Sequence, residues 1–148
     1  MNKDFKPYGA KLTYLSKLFK CNMKDESSKH GINSTYANII MLLTKYPEGI
    51  NQNDIAQEAH LAAPTVSLTL KQMETLNYII RVPSEVDNRK TIVKLTSEGY
   101  DLDNQIRDCF KIIEDKMVQN ISLEDLEHFE KILEMMKENL TKEGETKE

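Results

Sequence analysis

The apolar residues of this chain change their period twice, and that change limits what it can fold into. Over residues 8–76 they recur mainly at spacings of three and four, the repeat of one helix face. "YIIRVP" (78–83) and "KTIVKL" (90–95) alternate instead, as strands do, and "SEVDNR" between them suits a hairpin turn. From residue 97 the helical period returns and holds to Leu140. The expected fold is therefore mainly α with a small β-hairpin.

The helical segments carry their own start and stop signals. In 8–21, Tyr8, Leu12, Leu15, Leu18 and Phe19 form one stripe, with Lys11, Lys17 and Lys20 outside it. The polar stretch that follows extends or ends this helix, and Gly31 breaks it. Asn33 is a good N-cap for a helix with Tyr36, Ile39, Ile40 and Leu43 inward, which Pro47–Gly49 should end. Asn51, with Asp54 three residues on, opens a short helix in a capping-box-like pattern, its inward positions being Ile55, Ala56 and Ala59.

After the brief link "HLA", Pro64 suits the first position of another helix, where its missing N–H costs nothing. Val66, Leu70 and Met73 face one side of it. Thr65, Ser67, Leu68, Lys71 and Gln72 mostly face the other. Asn77 sits where the chain should leave in a left-handed conformation, which Asn tolerates. Beyond the hairpin, Thr96 caps a long helix with Leu102, Ile106, Cys109, Phe110, Ile113, Met117 and Ile121 on one stripe. Ser122, with Asp125, starts the last helix. In it Leu126, Phe129, Leu133, Met136 and Leu140 repeat at 3-4-3-4, a coiled-coil-like seam.

Charge separates along the chain although the net value is only −4. Residues 1–33 hold seven Lys/Arg against three Asp/Glu, residues 34–97 six against six, and residues 98–148 seven against fifteen. A net acidic protein can still bind nucleic acid when its basic groups gather on one face, and the acidic last third is a poor candidate for that face. Lys outnumbers Arg 17 to 3, a ratio that reflects base composition rather than mechanism.

The order of elements carries the functional argument. A short helix, a tight link, a second helix with small polar residues outward, then a hairpin: this is the plan of a winged helix-turn-helix. Such a helix fits the major groove of B-form DNA, and short hydroxyl and amide side chains let its backbone approach base edges or phosphates. A cationic hairpin tip can reach the neighbouring minor groove. Read alone, Arg89 and Lys90 are ordinary solvated charges. Behind such a helix pair they read as DNA contacts.

At this point the chain resembles the MarR family of bacterial transcriptional regulators. "NQNDIAQEAHLAAPTVSLTLKQMETLNYI" looks like the family's helix-turn-helix. Asp87, Arg89, Leu95, Thr96 and Gly99 match its wing signature, and the likeness runs over roughly residues 8–140. The resemblance implies a winged helix-turn-helix region, residues 33–97, flanked by dimerisation helices in 1–32 and 98–148, the latter ending in an acidic tail. It implies a homodimer that binds double-stranded DNA at a pseudo-palindromic operator, usually as a repressor. Thr65, Ser67, Leu68, Lys71 and Gln72 would meet DNA from the recognition helix, and Asn88, Arg89 and Lys90 from the wing, with Asp87 holding Arg89 by a salt bridge. Phe5, Tyr8, Leu12, Leu126, Phe129, Leu133 and Met136 would line the dimer interface. Two departures stand out. Leu68 occupies a place where the family often has Arg, which removes a guanine-seeking contact and could instead meet a thymine methyl. Asn77 replaces a usual Gly.

Other readings are weaker. Relatives bind small aromatic acids between helices, and Tyr14, His30 and Tyr36 are the residues here that could line such a pocket for an effector. Their plainer role is packing. Cys21 and Cys109 invite comparison with the family's cysteine-based peroxide sensors, but Cys109 falls on the apolar stripe and Cys21 lies farther along the first helix than the reactive cysteine of that branch. His30, His60 and His128 have no partners at ligand spacing, so no metal site and no cofactor is expected. No phosphate loop, HExxH or Ser-His-Asp set suggests an enzyme. A winged helix used for protein–protein contact is the remaining alternative. The longest apolar run, "IIMLL" (39–43), is far too short to span a membrane, and the N-terminal residues lack a secretion signal's apolar core, so the expected location is cytoplasmic.

Overall fold

The structure, a computed structural model, describes residues 6–141. Six helices and three short strands follow in the order α1 (Tyr8–Lys29), α2 (Ser34–Leu43), β1 (Ile50–Asn51), α3 (Gln52–Glu58), α4 (Ala63–Thr75), β2 (Ile79–Pro83), β3 (Thr91–Leu95), α5 (Ser97–Met117) and α6 (Leu123–Thr141). The chain divides after Ile113 into two compact units. The first holds α1 to β3 and most of α5. The second holds the end of α5 and α6.

In the first unit the apolar faces expected from spacing meet in one core. Ile39, Ile40 and Leu43 of α2, Ile55 of α3 and Val66, Leu70 and Met73 of α4 are all buried, together with Ile79 and Val93 of the sheet and Ile106 of α5. The caps behave as the side-chain chemistry requires. Asn33 Oδ1 accepts from the Thr35 and Tyr36 N–H groups, at 2.8 and 3.3 Å. Asn51 Oδ1 accepts from Asp54 N–H while its own amide donates to the Asp54 carboxylate, 2.9 and 2.7 Å. Ser122 Oγ accepts from Asp125 N–H at the start of α6. Asn77 has φ 61°, the left-handed exit expected of it.

The polar stretch after Cys21 extends α1 to Lys29, one of the two courses expected of it, and Gly31, at φ 70°, then breaks the helix as expected. Other boundaries differ from expectation. α2 stops at Leu43, before Pro47, because Lys45 and Tyr46 N–H groups bond the Leu42 and Leu43 carbonyls in tighter i→i+3 turns. Pro64 occupies the second helical position rather than the first, since Ala62 is the N-cap; it is still in the first turn, where no N–H is needed. α5 ends at Met117, so Ile121 falls in the link to α6, where Asn120 has φ 64°.

The sheet holds a strand that periodicity did not indicate. β1 pairs antiparallel with β3, Ile50 opposite Val93, and β3 pairs with β2, Ile79 opposite Leu95 and Pro83 opposite Thr91. Two residues are too few to display alternation. The hairpin closes where it meets α5. Tyr78 carbonyl accepts from Thr96 N–H at 3.1 Å, the Thr96 hydroxyl donates to the Asn77 carbonyl, and Gly99 N–H donates to Thr96 Oγ1 at 3.0 Å. A Cβ on Gly99 would overlap the Tyr78 carbonyl oxygen and crowd Leu95. Replacing Gly99 by Ala must push α5 off the base of the hairpin. Overpacking of this kind typically costs about 1–3 kcal/mol. Urea unfolding of Gly99→Ala should therefore show a lower midpoint than the parent protein, and an unchanged midpoint would mean that α5 shifts freely.

Candidate nucleic-acid interface

α3, the turn at Ala59–Ala62 and α4 form a helix-turn-helix whose second helix presents an open outer face. In the turn His60 takes φ 52°, and its N–H reaches the Gln57 carbonyl. The burial of Val66, Thr69, Leu70 and Met73 sets the opposite side of α4 outward. Thr65, Leu68, Lys71 and Gln72 are exposed there and Ser67 is half-buried. Leu68 keeps 60% of its surface open, a large apolar side chain in the middle of a polar face. Thr65, Leu68 and Gln72 stand three and four residues apart and so share one stripe. The Gln72 amide is held from a second helix: Tyr36 Oη of α2 donates to Gln72 Oε1 at 3.1 Å.

The wing tip, 84–90, is organised by short polar side chains. Ser84 Oγ accepts from the N–H groups of Val86 and Asp87, both at 3.3 Å. Lys90 N–H closes a turn onto the Asp87 carbonyl and Ser84 N–H reaches the Lys90 carbonyl, 2.9 and 2.8 Å. Asp87 Oδ1 accepts from both the backbone N–H and the Nε of Arg89, at 3.1 and 3.2 Å. The Arg89 side chain is 92% exposed and that of Asp87 33%, so the carboxylate anchors while the guanidinium projects. Asn88 and Lys90 are exposed beside it. The Asp87 carboxyl is held below the ordinary carboxylate range, first by the Arg89 backbone N–H and then by its side chain.

Other side chains at the interface were not evident from spacing. Arg81 of β2 donates from Nε to Glu74 of α4 at 3.1 Å and from Nη1 to Gln52 of α3 at 3.0 Å, tying the wing to both helices of the turn motif. All three arginines pair with a carboxylate: Arg81 with Glu74, Arg89 with Asp87, and Arg107 with the buried Asp103 at 2.6 Å. No spacing signal singles out Arg81, whose partners lie 7 and 29 residues away in sequence. A planar fork of donors suits these fixed geometries better than an ammonium does.

The remaining sites fall elsewhere. Tyr14 is exposed on α1, and His30, at the end of α1, pairs with Glu26. Tyr36 packs edge-on to Tyr78, ring centroids 6.5 Å apart, besides holding Gln72. Cys21 is exposed. Cys109 is buried, and burial pushes its thiol up, away from the reactive thiolate. Of the residues expected at a dimer interface, Tyr8, Leu12, Phe129 and Leu133 are exposed, Leu126 and Met136 are half-buried, and Phe5 lies outside the described residues. In α1 only Ser27 is buried, and in α6 nothing is. Among the described residues no cluster of His, Cys, Asp or Glu could hold a metal ion, and no helix is long and apolar enough to cross a membrane.

Residues 30–90 match the profile of the MarR family. The HTH-type transcriptional regulator SarZ of Staphylococcus epidermidis is 31% identical over 103 residues, covering 64% of this chain and 68% of that protein. The chain belongs to the MarR family. A solved structure of a MepR mutant from S. aureus is 25% identical and superposes with a TM-score of 0.80 over 91% of this chain and 99% of that one. Another S. aureus MepR mutant, bound to an oligodeoxyribonucleotide, is similar over 93% of this chain and 99% of that one, with a TM-score of 0.65 and 25% identity. The mainly helical fold with its small antiparallel wing is the fold of this family.

The Asp87–Arg89 contact can be tested by titration. In the parent protein the Asp87 carboxyl should titrate below its ordinary range. In Arg89→Ala it should move up only part of the way, because the backbone N–H bond remains. The anchoring of Arg89 is present above that depressed value and is lost as pH falls through it. Carbon-detected NMR of the carboxyl group checks both statements, and an Asp87 titration indifferent to Arg89→Ala would rule out the side-chain contact in solution.

Proposed function

We propose that this chain is a homodimeric transcriptional repressor that binds a pseudo-palindromic operator through α4 and the wing. The observation that carries the reading is the pairing of two outward surfaces on one compact unit. One is the polar face of α4, and the other is a wing tip whose Arg89 is anchored by Asp87 and otherwise free. The spacing of polar side chains on α4 suits the major groove, and a projecting guanidinium suits the narrow, negative minor groove. That a similar S. aureus protein has been solved with an oligodeoxyribonucleotide supports it. In this reading Thr65, Ser67, Lys71 and Gln72 supply hydroxyl, amide and cationic contacts, and Leu68 favours a thymine methyl over guanine. Asn88 and Lys90 add wing contacts to the backbone.

The homodimer rests on a different observation. Tyr8, Leu12, Leu15 and Leu18 on α1, and Phe129, Ile132 and Leu133 on α6, keep large apolar surface exposed in the single chain. Apolar stripes of this extent on a monomer mark association surfaces. A second copy offers the same stripes, and two copies would present two winged units to the halves of an inverted repeat. A small aromatic effector at Tyr14, His30 and Tyr36 rests on the family resemblance alone. The protein–protein alternative predicts that association with the partner is insensitive to salt.

Arg89→Ala should weaken operator binding by about 1–3 kcal/mol with the dimer intact. Mobility-shift titration measures it, and parent binding should fall steeply with added salt as released counterions require. Unchanged affinity in the variant would remove Arg89 from the interface. Leu133→Lys should convert the dimer to monomers by placing a charge in the apolar seam. Multi-angle light scattering that still reports a dimer would locate the association surface elsewhere.

A further inference from the structure

We propose that Tyr36 is a positioning residue for DNA recognition: its hydroxyl bond to Gln72 Oε1 turns Gln72 into a hydrogen-bond donor toward DNA. The inference rests on the reading of α4 as the DNA-binding helix. It goes beyond that reading by assigning a role to a residue of α2 and a polarity to one contact.

The geometry is specific. Gln72 shares the outer stripe of α4 with Thr65 and Leu68, and its side chain is exposed. A glutamine amide carries one acceptor and one double donor, and either end can face outward when nothing holds it. Here Tyr36 Oη donates to Oε1 at 3.1 Å, across 36 residues of sequence. Among the described residues no other side chain engages the amide, so Nε2 is the end left for a partner. Tyr36 is itself held. It packs half-buried against the core and edge-on to Tyr78, at the base of the wing. The ring therefore links α2, α4 and the start of β2.

The consequence concerns which groups Gln72 can read. A free glutamine pairs with adenine through both ends of the amide, accepting from N6 and donating to N7. With its oxygen turned to Tyr36, Gln72 loses that bidentate match. It instead offers N–H to an acceptor: guanine O6 or N7, thymine O4, adenine N7, or a phosphate oxygen. The base-edge and backbone sources share one chemistry and are separable by experiment.

The test is a double-mutant cycle on the full chain, using an inverted-repeat duplex selected by the parent protein from a random pool. Binding is read by fluorescence anisotropy, and thermal melting is followed in parallel. Tyr36→Phe should weaken binding about threefold, the scale of one neutral hydrogen bond. Gln72→Ala should weaken it at least as much, and the double variant should bind like Gln72→Ala alone. Gln72→Glu keeps the acceptor for Tyr36 but has no donor, and should bind no better than Gln72→Ala. Duplexes altered one base pair at a time then assign the source. If the Gln72→Ala loss vanishes at one altered pair in each half-site, the acceptor is a base edge; if it is uniform, the acceptor is a phosphate. Either outcome locates the partner of Gln72, and the Gln72→Glu variant decides the polarity.

Losses that multiply in the double variant would mean Tyr36 acts only through general packing and would overturn the proposal. So would Tyr36→Phe binding like the parent, or Gln72→Glu binding like the parent. A parent protein that selects no duplex at all would overturn the DNA reading and this inference with it, whereas a parent that binds while the cycle shows no coupling overturns this inference alone.

Discussion

The base of the wing is the constraint on which the other features depend. Tyr78 carbonyl accepts from Thr96 N–H, and Gly99 lies so close to that carbonyl that no side chain fits. These contacts close β2 against β3 and set where α5 begins. They also fix the chain direction at Asn77, whose left-handed backbone turns α4 into the hairpin. Move this corner and the wing swings relative to α4, which would change the distance between the two surfaces proposed to meet adjacent grooves.

From that base the wing is held by different contacts along its length. Backbone ladder bonds hold the strands, Arg81 clamps the middle of β2 to Glu74 and Gln52, and the tip relies on Ser84 and Asp87 accepting from nearby N–H groups. The outcome is a hydrogen-bonded stem whose tip carries an exposed guanidinium. Such an arrangement suits recognition of a backbone-lined groove, because Asp87 engages only the Nε side of Arg89 and the rest of the guanidinium projects into solvent. The Asp87 carboxylate weakens the basic character of the tip when charges are merely counted. Its geometry gives it the opposite value, since it limits where Arg89 can point.

The helices outside the winged region obey another logic. α2 to α4 bury their apolar faces within the chain, while α1 and α6 leave theirs largely open. Helices with a clear apolar stripe and almost no buried residue are incomplete alone. The proposed dimer supplies the missing partner, and it accounts for why a chain of this length devotes about 41 residues to helices with a single buried residue.

Much of this architecture was legible because it is local. The N-caps Asn33, Asn51 and Ser122, the left-handed Asn77 and the inward faces of α2 to α4 depend on residues within four positions of one another, so spacing and side-chain type suffice. The pairing of Asp87 with Arg89 is local too, but it was expected from the resemblance to the family's wing signature and not from spacing. Features that join distant segments were not readable in this way. β1 is a strand only because β3 lies beside it, and α2 ends early because its last carbonyls find tighter partners. Arg81 finds Gln52 across 29 residues, and Tyr36 finds Gln72 across 36. Periodicity and capping chemistry settle which residues become helix or strand and which face is apolar. Which side chains meet across elements, and hence which end of the Gln72 amide faces outward, is decided only when the core closes, because those bonds exist only between segments that packing has brought together.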